Sequence, residues 1–339
     1  MPSKTPSAAA DPWARLERVA SRHEAGRRQL VLAIGSGVNR EARTRGGAVT
    51  RADGDSWAAL LAAVARAVGC RDRELSARIR DGRVEGLSTL VWEALLAERV
   101  RTTRGREGPA EAERFLQRAV AERLRAVYDP HGPTEAFVRR LLGERFADVL
   151  SFNFDSALSV DAPSGWAGAA GDADAARLCA QLLGGTRAWY PHGHESRPRS
   201  IKLGLRAYGV YLASLDRAFR AAKARERERI EQRRRDDPEP RTWVEAALVR
   251  PLCFVGLSLA PEEWTLWWFL NQRARNAARR GLPPDTFVFT SERSAAGLAD
   301  RCKLLAIELV TFEKFDEGWD RLLALLESTR PTYRPRKAP

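Results

Sequence analysis

Gln29-Leu30-Val31-Leu32-Ala33-Ile34 runs directly into Gly35-Ser36-Gly37-Val38-Asn39. An apolar run without polar alternation suits a strand buried on both faces, the kind found in parallel sheets. Glycines directly after it let the backbone turn sharply into a helix and approach a phosphate or another chain segment closely. One such unit decides little, but comparable runs recur at 147–152 (ADVLSF), 200–203 (SIKL), 251–256 (PLCFVG), 286–290 (TFVFT) and 304–312 (LLAIELVTF). Short apolar strands alternating with helical stretches predict an α/β fold: a Rossmann-like, doubly wound parallel sheet.

The helical stretches carry their own signals. Asp11 before Pro12 reads as a helix start, with Trp13, Leu16, Val19 and Ala20 at helical spacing. Ser56 is placed to cap a helix with Trp57, Leu60, Leu61 and Val64 on one face. Helical patterns over 87–100, 110–127 and 134–142 follow with no strand between them, so residues 56–140 read as an inserted helical subdomain. Further helices are expected over 172–183, from 208 to about 235, over 262–280 and over 315–326. Trp264, Trp267, Trp268 and Asn271 fall on one face, an aromatic stripe for packing on the sheet or on a second protomer. The run 225–235 (RERERIEQRRR) reads as a solvated, salt-bridged helix or as a contact for a partner subunit or phosphate backbone; Pro238 and Pro240 end it. One α/β domain over 12–330, with a charged arm at 208–241 and flexible tails at 1–11 and 331–339, is the expected organisation.

Composition narrows the class. The 339 residues are 44% hydrophobic, an ordinary globular value. No run approaches the ~18 apolar residues of a membrane span. The Ser/Pro/Ala-rich N-terminus lacks the apolar segment of a signal peptide. Cys70, Cys179, Cys253 and Cys302 are far apart and form no C-x-x-C pair, so no metal is expected and a reducing cytoplasm is the expected compartment. A formal net charge of +13 favours anionic partners such as nucleic acid, a dinucleotide or an acidic protein.

Three further segments carry chemistry-bearing side chains. Ser151-Phe152-Asn153-Phe154-Asp155 follows the second strand. Asn153 and Asp155 there either project into the crevice where α/β folds bind ligands or cap the next turn through their own backbone. Pro191-His192-Gly193 follows Trp189-Tyr190, and an imidazole at His192 either takes a proton near neutral pH or is a loop histidine without a task. Of the other histidines, His131 precedes a helix start, His194 neighbours His192, and His23 falls on an early polar helix face. Gly256-Leu257-Ser258-Leu259 ends the most apolar strand; Gly256 permits close ligand approach and Ser258 can bond a ribose or phosphate, or both serve an ordinary turn.

In this order, GSGVN (35–39), SFNFD (151–155), HGH (192–194) with SIKL (200–203), and FVGLSL (254–259) resemble the motifs of the SIR2-like family, in its bacterial antiphage-defence branch. Ser56-Trp57 with Leu60-Leu61 is similar to that branch's W-x-x-L-L helix, and the likeness spans residues 28–327. Phe152 and Phe154 stand where Thr and Tyr are usual. The paired cysteines and the P-D-F-R segment of the sirtuin deacylases are missing. The resemblance therefore implies an NAD glycohydrolase that depletes NAD on activation, rather than a protein deacylase. NAD would be the substrate. Carried over by motif, Asn153 would orient water and the ribose hydroxyls, His192 would act as general base, and Asp155 would support the ribose side. Gly35, Ser36, Gly37 and Val38 would hold the pyrophosphate, and Gly256 and Ser258 the adenosine-side ribose and phosphate. The family also implies a homo-oligomer and a separate activating partner, a HerA-type ATPase ahead of an Argonaute-like protein. Nucleic acid would be reached through the partner or the basic surface, and no membrane is involved. Two other functions fit the same residues: an NAD- or ADP-ribose-binding regulatory subunit without turnover, and a nucleic-acid-binding component of a defence complex.

Overall fold

A computed structural model describes residues 11–24, 27–45, 57–81, 87–104, 106–127, 137–138, 140–141, 146–156, 158, 166–167, 177, 179–181, 186–231 and 239–329. Strands β1 (His23–Glu24) and β2 (Arg27–Arg28) form a small antiparallel ribbon. The remaining strands are β3 (Val31–Ile34), β4 (Asp148–Ser151), β5 (Trp166–Ala167), β6 (Cys179–Gln181), β7 (Arg187–Trp189), β8 (Leu252–Val255), β9 (Thr286–Ser291) and β10 (Ile307–Phe312). They form one sheet in the order β10-β9-β8-β3-β4-β7-β6-β5. From β10 to β7 the six strands are all parallel; β6 and β5 add an antiparallel edge. Numbered along the chain, the parallel strands stand in the order 3-2-1-4-5-6, a Rossmann-like arrangement. Its winding reverses between β3 and β8. Ile34 is level with Ser151 on one side and Val255 on the other, so three carboxyl ends finish together.

Alternation along each buried strand divides the core. Leu32, Ile34, Val149, Cys253, Val255, Phe287 and Phe289 face one layer, with α1 (Pro12–Ala20), α2 (Ser36–Arg45) and α12 (Phe315–Ser328). Val31, Ala33, Leu150, Leu252, Phe254 and Val288 face the other, with α7 (Leu205–Glu231), α8 (Trp243–Leu248) and α9 (Trp264–Arg279). Two short helices, α10 (Glu292–Ala295) and α11 (Ala299–Leu304), link β9 to β10. Asp11 caps α1 by accepting from the Trp13 backbone N–H at 3.1 Å.

Between β3 and β4 lie α3 (Trp57–Val68), α4 (Arg73–Arg80), α5 (Ser88–Thr102) and α6 (Pro109–Val127), with no strand among the described residues of that stretch. Their apolar faces make a third core with Phe154, Ile201 and Leu203. The helices thus sit over the loop that follows β7, not over a face of the sheet. Gln117 on α6 donates to the Ile201 carbonyl at 3.0 Å, and Arg125 donates to that of Glu195 at 2.6 Å.

Several expectations are corrected. Residues 200–203 are no strand: 198–200 form a 3-10 turn, and the extended chain beyond it stays outside the sheet. Residues 179–181, placed in a helix over 172–183, form β6; most of the rest of that stretch, like the capping Ser56, His131 and residues 232–238, lies outside the described residues. His23 lies beyond the end of α1, in β1. The first half of the charged arm is core, since Tyr208, Tyr211, Leu215 and Phe219 are buried. On α9 the buried face is Thr265, Leu266, Phe269, Leu270, Arg273 and Asn276, which leaves Trp264 51% exposed and Trp267 and Trp268 at the margin.

Candidate active site

The carboxyl ends of β3, β4 and β8, with that of β7 beside them, gather the predicted segments. After β3, the chain passes Gly35 and enters α2 at Ser36. Gly35 N–H donates to the Val255 carbonyl at 3.0 Å and Gly37 N–H to the Gly256 carbonyl at 2.8 Å, so this turn is pinned to the end of β8. Glycine is required for steric reasons: a Cβ on Gly37 would lie 2.7 Å from the Gly256 Cα, and one on Gly256 would lie 2.6 Å from the Val38 N. Gly256 also has φ +66, a conformation that side chains disfavour. The interlock qualifies the phosphate role. Gly37 and Val38 spend their N–H groups on Gly256 and Gly35, so a phosphate there would rely on the helix end and on Ser36, which is exposed. Ser258 is exposed on the loop after β8.

After β4, Phe152 N–H continues the ladder by donating to the Ile34 carbonyl at 2.9 Å. Asn153 follows, only 8% exposed, with its Nδ2 buried and without a hydrogen-bond partner. Asp155 accepts from Asn39 Nδ2 at 2.7 Å, a bond between the second motif and the first helix. The Oδ1 of Asn39 is buried and unpartnered.

After β7, the chain turns at Gly193, whose φ of +98 and contact with Ser200 admit no side chain: a Cβ would lie 2.3 Å from the Ser200 carbonyl oxygen. Lys202 N–H donates to the His192 carbonyl at 2.8 Å. The His192 ring, 2% exposed, lies edge-on to Phe152 at 5.1 Å between centroids and 6.3 Å from Phe154. The two phenylalanines that flank Asn153 in the chain therefore both pack on the imidazole, which brings the second motif and the His192 loop together. Tyr208 closes another side at 5.9 Å.

Burial pushes the His192 pKa down, partly offset by Glu263, so the ring is held neutral at physiological pH. Its Nε2 is 3.3 Å from Glu263 Oε2, though neither atom has a formed hydrogen bond. His194 is different. Its Nδ1 accepts from the Ser196 backbone N–H at 3.1 Å, so its proton is on Nε2, facing Ser156 Oγ at 3.5 Å. That tautomer cannot take the serine proton, which argues against a serine nucleophile here. Burial, with Arg125 nearby, lowers the His194 pKa to about 3, a structural role. Ser156 instead donates to Glu195 Oε1, while Glu195 Oε2 is buried without a partner and burial raises the carboxyl pKa.

Sequence reasoning missed Glu263 and Asn39. Glu263 stands at the N-cap position of α9 without a side-chain capping bond and reads in sequence as a first-turn acid; its position after a strand's carboxyl end is the usable signal. Asn39 stands inside the quoted first motif, but its link to Asp155 is visible only in three dimensions. No cluster of three or more potential metal ligands occurs among the described residues, and no described helix is long and apolar enough to cross a membrane. The chain matches no family model, and no curated protein shows significant sequence similarity to it.

Proposed function

We propose that the chain hydrolyses the nicotinamide–ribose bond of NAD, giving nicotinamide and ADP-ribose, with a SIR2-type site roofed by the helices of residues 56–140. The observation that carries this reading is a group of buried polar atoms without hydrogen bonds at the carboxyl end of the sheet, Asn39 Oδ1, Asn153 Nδ2 and Glu195 Oε2, beside the His192–Glu263 pair. Buried polar groups are nearly always satisfied within a fold, and each unmet one costs about 1–3 kcal/mol, so such a set marks where a polar ligand belongs. It lies beside the β3/β8 switch point, where doubly wound sheets bind nucleotides.

The chemistry suits these residues. Nicotinamide in NAD is already a cation, so the C1′–N bond breaks with its electron pair going to the ring nitrogen, and no general acid is needed. Water forms the new C1′–O bond. Asn153 holds that water and the ribose hydroxyls, and neutral His192 takes the water's proton. Asp155, fixed by Asn39, supports the ribose side. We further propose a homo-oligomeric antiphage effector whose hydrolysis is switched on by a separate partner, a HerA-type ATPase ahead of an Argonaute-like protein.

The test is nicotinamide release from NAD with enzyme in excess, so that even an unactivated chain registers a single turnover. Loss of about 100-fold or more in Asn153→Ala and in His192→Ala is the expected result. NAD that raises the melting temperature without being cleaved would favour the regulatory-subunit reading; neither binding nor cleavage would overturn the proposal.

A further inference from the structure

We infer that Glu263 is the positioning residue of His192, holding the imidazole through its Nε2 and leaving Nδ1 as the proton-accepting nitrogen; the catalytic part of this inference rests on the NAD-hydrolase reading. Three observations support it. First, Glu263 Oε2 and His192 Nε2 are 3.3 Å apart, both buried, and neither has a hydrogen bond elsewhere. A short adjustment of either side chain aligns them. Second, the other groups packed on the ring are Phe152, Phe154 and Tyr208, none of which carries a charge at neutral pH. Burial raises the Tyr208 pKa further, and Glu263, Glu262 and Tyr211 lie in its surroundings.

Third, the backbone beneath Glu263 is held firmly. Glu263 N–H donates to the Ala260 carbonyl at 3.1 Å, and the same carbonyl accepts from Trp267 Nε1 at 3.0 Å. Leu259 is fully buried at φ 48, a conformation that costs a non-glycine residue about 1 kcal/mol or more. Such a posture persists only where the surroundings demand it. The loop begins at Gly256, which interlocks with Gly37, so one short segment carries both the wall of the glycine turn and the carboxylate that addresses the histidine. A carboxylate on one imidazole nitrogen fixes the tautomer and makes the other nitrogen more basic.

Two readouts test this on the full-length chain. The His192 ring titration is followed by NMR in wild type, Glu263→Gln and Glu263→Asp, and nicotinamide release from NAD is measured against pH in the same proteins. Glu263→Gln is expected to move the His192 midpoint to lower pH and to lower kcat about 10- to 100-fold with KM for NAD nearly unchanged. Glu263→Asp, which keeps the charge, is expected to recover part of both. A His192 midpoint unchanged in a folded Glu263→Gln protein, or in Glu263→Asp and Glu263→Gln alike, overturns the inference. A midpoint that shifts as expected in a protein whose wild type neither binds nor cleaves NAD upholds the His192–Glu263 pairing and removes the NAD reading instead.

Discussion

At the residue scale the site is defined by what its side chains lack. Asn153 drew notice in the sequence because its motif follows an apolar run, and His192 because it stands between an aromatic pair and a glycine. Glu263 did not, since a first-turn acid on a helix is ordinary and only the packing of β7 against β4 brings the imidazole to it. Burial also predicts a pH response. His192 and His194 are neutral in the fold with pKa values below the ordinary histidine value, that of His194 at about 3. Unfolding frees both to protonate, so their contribution to stability is complete above about pH 6.5 and declines as the pH falls through the interval down to the folded pKa. The His194 ring, with its pKa at about 3, costs about 2 kcal/mol at pH 5, and His192 acts in the same direction. Urea unfolding at pH 7.5 and pH 5 is expected to show this loss, and His194→Gln is expected to make the difference smaller.

At the element scale, the glycine turn and the loop after β8 form one interlocked unit. Gly256→Ala is expected to cost about 2–4 kcal/mol, because the new methyl group meets Val38 N at 2.6 Å and φ is +66. Gly209 is the contrast. It lies inside α7, where an added Cβ meets nothing within 4 Å, so Gly209→Ala is expected to stabilise by about 0.5–1 kcal/mol. Chemical denaturation of both variants beside wild type checks the two signs together. The strands β3, β4, β8, β9 and β10 were readable because each is a nearly unbroken apolar run. Residues 200–203 misled for the same reason: Ile201 and Leu203 are buried, but against the α3–α6 helices rather than in the sheet. Burial shows in a sequence more clearly than the surface that provides it. The edge strands β5 and β6 are two and three residues long and give no periodic signal at all.

At the scale of the whole molecule, the two ends of the sheet are treated oppositely. Near the amino ends, fully buried Asp148 takes two bonds from Arg187, at 2.8 and 2.9 Å, one from Trp189 Nε1 at 2.8 Å and one from Arg250 at 2.5 Å. That end is saturated, and the carboxyl end is not. Asp148→Ala leaves two half-buried or buried guanidinium groups without their carboxylate and is expected to cost about 3–5 kcal/mol in urea unfolding, without altering the pH profile of any NAD turnover. Ligand at the other end is expected to do the reverse: NAD at 100 times its Kd adds about 2.7 kcal/mol of stability, read as a rise in melting temperature. The net charge of +13 also looks different in three dimensions. On the described arm Arg220 is paired with Asp216, Arg225 with Glu245 and Glu226 with Arg280, so these arginines add nothing to the excess, which comes from other basic residues. Neutralising Arg220 and Arg225 is therefore expected to change salt-dependent retention on DNA only slightly.

Gln117 and Arg125 grip the carbonyl oxygens of Ile201 and Glu195 from a single helix, both in the segment that follows the turn at Gly193. The helical layer and the loop that carries His192 are thereby riveted together. A binder that tilted this layer from outside would carry the imidazole with it, so the proposed hydrolysis would be throttled from a surface that never meets NAD.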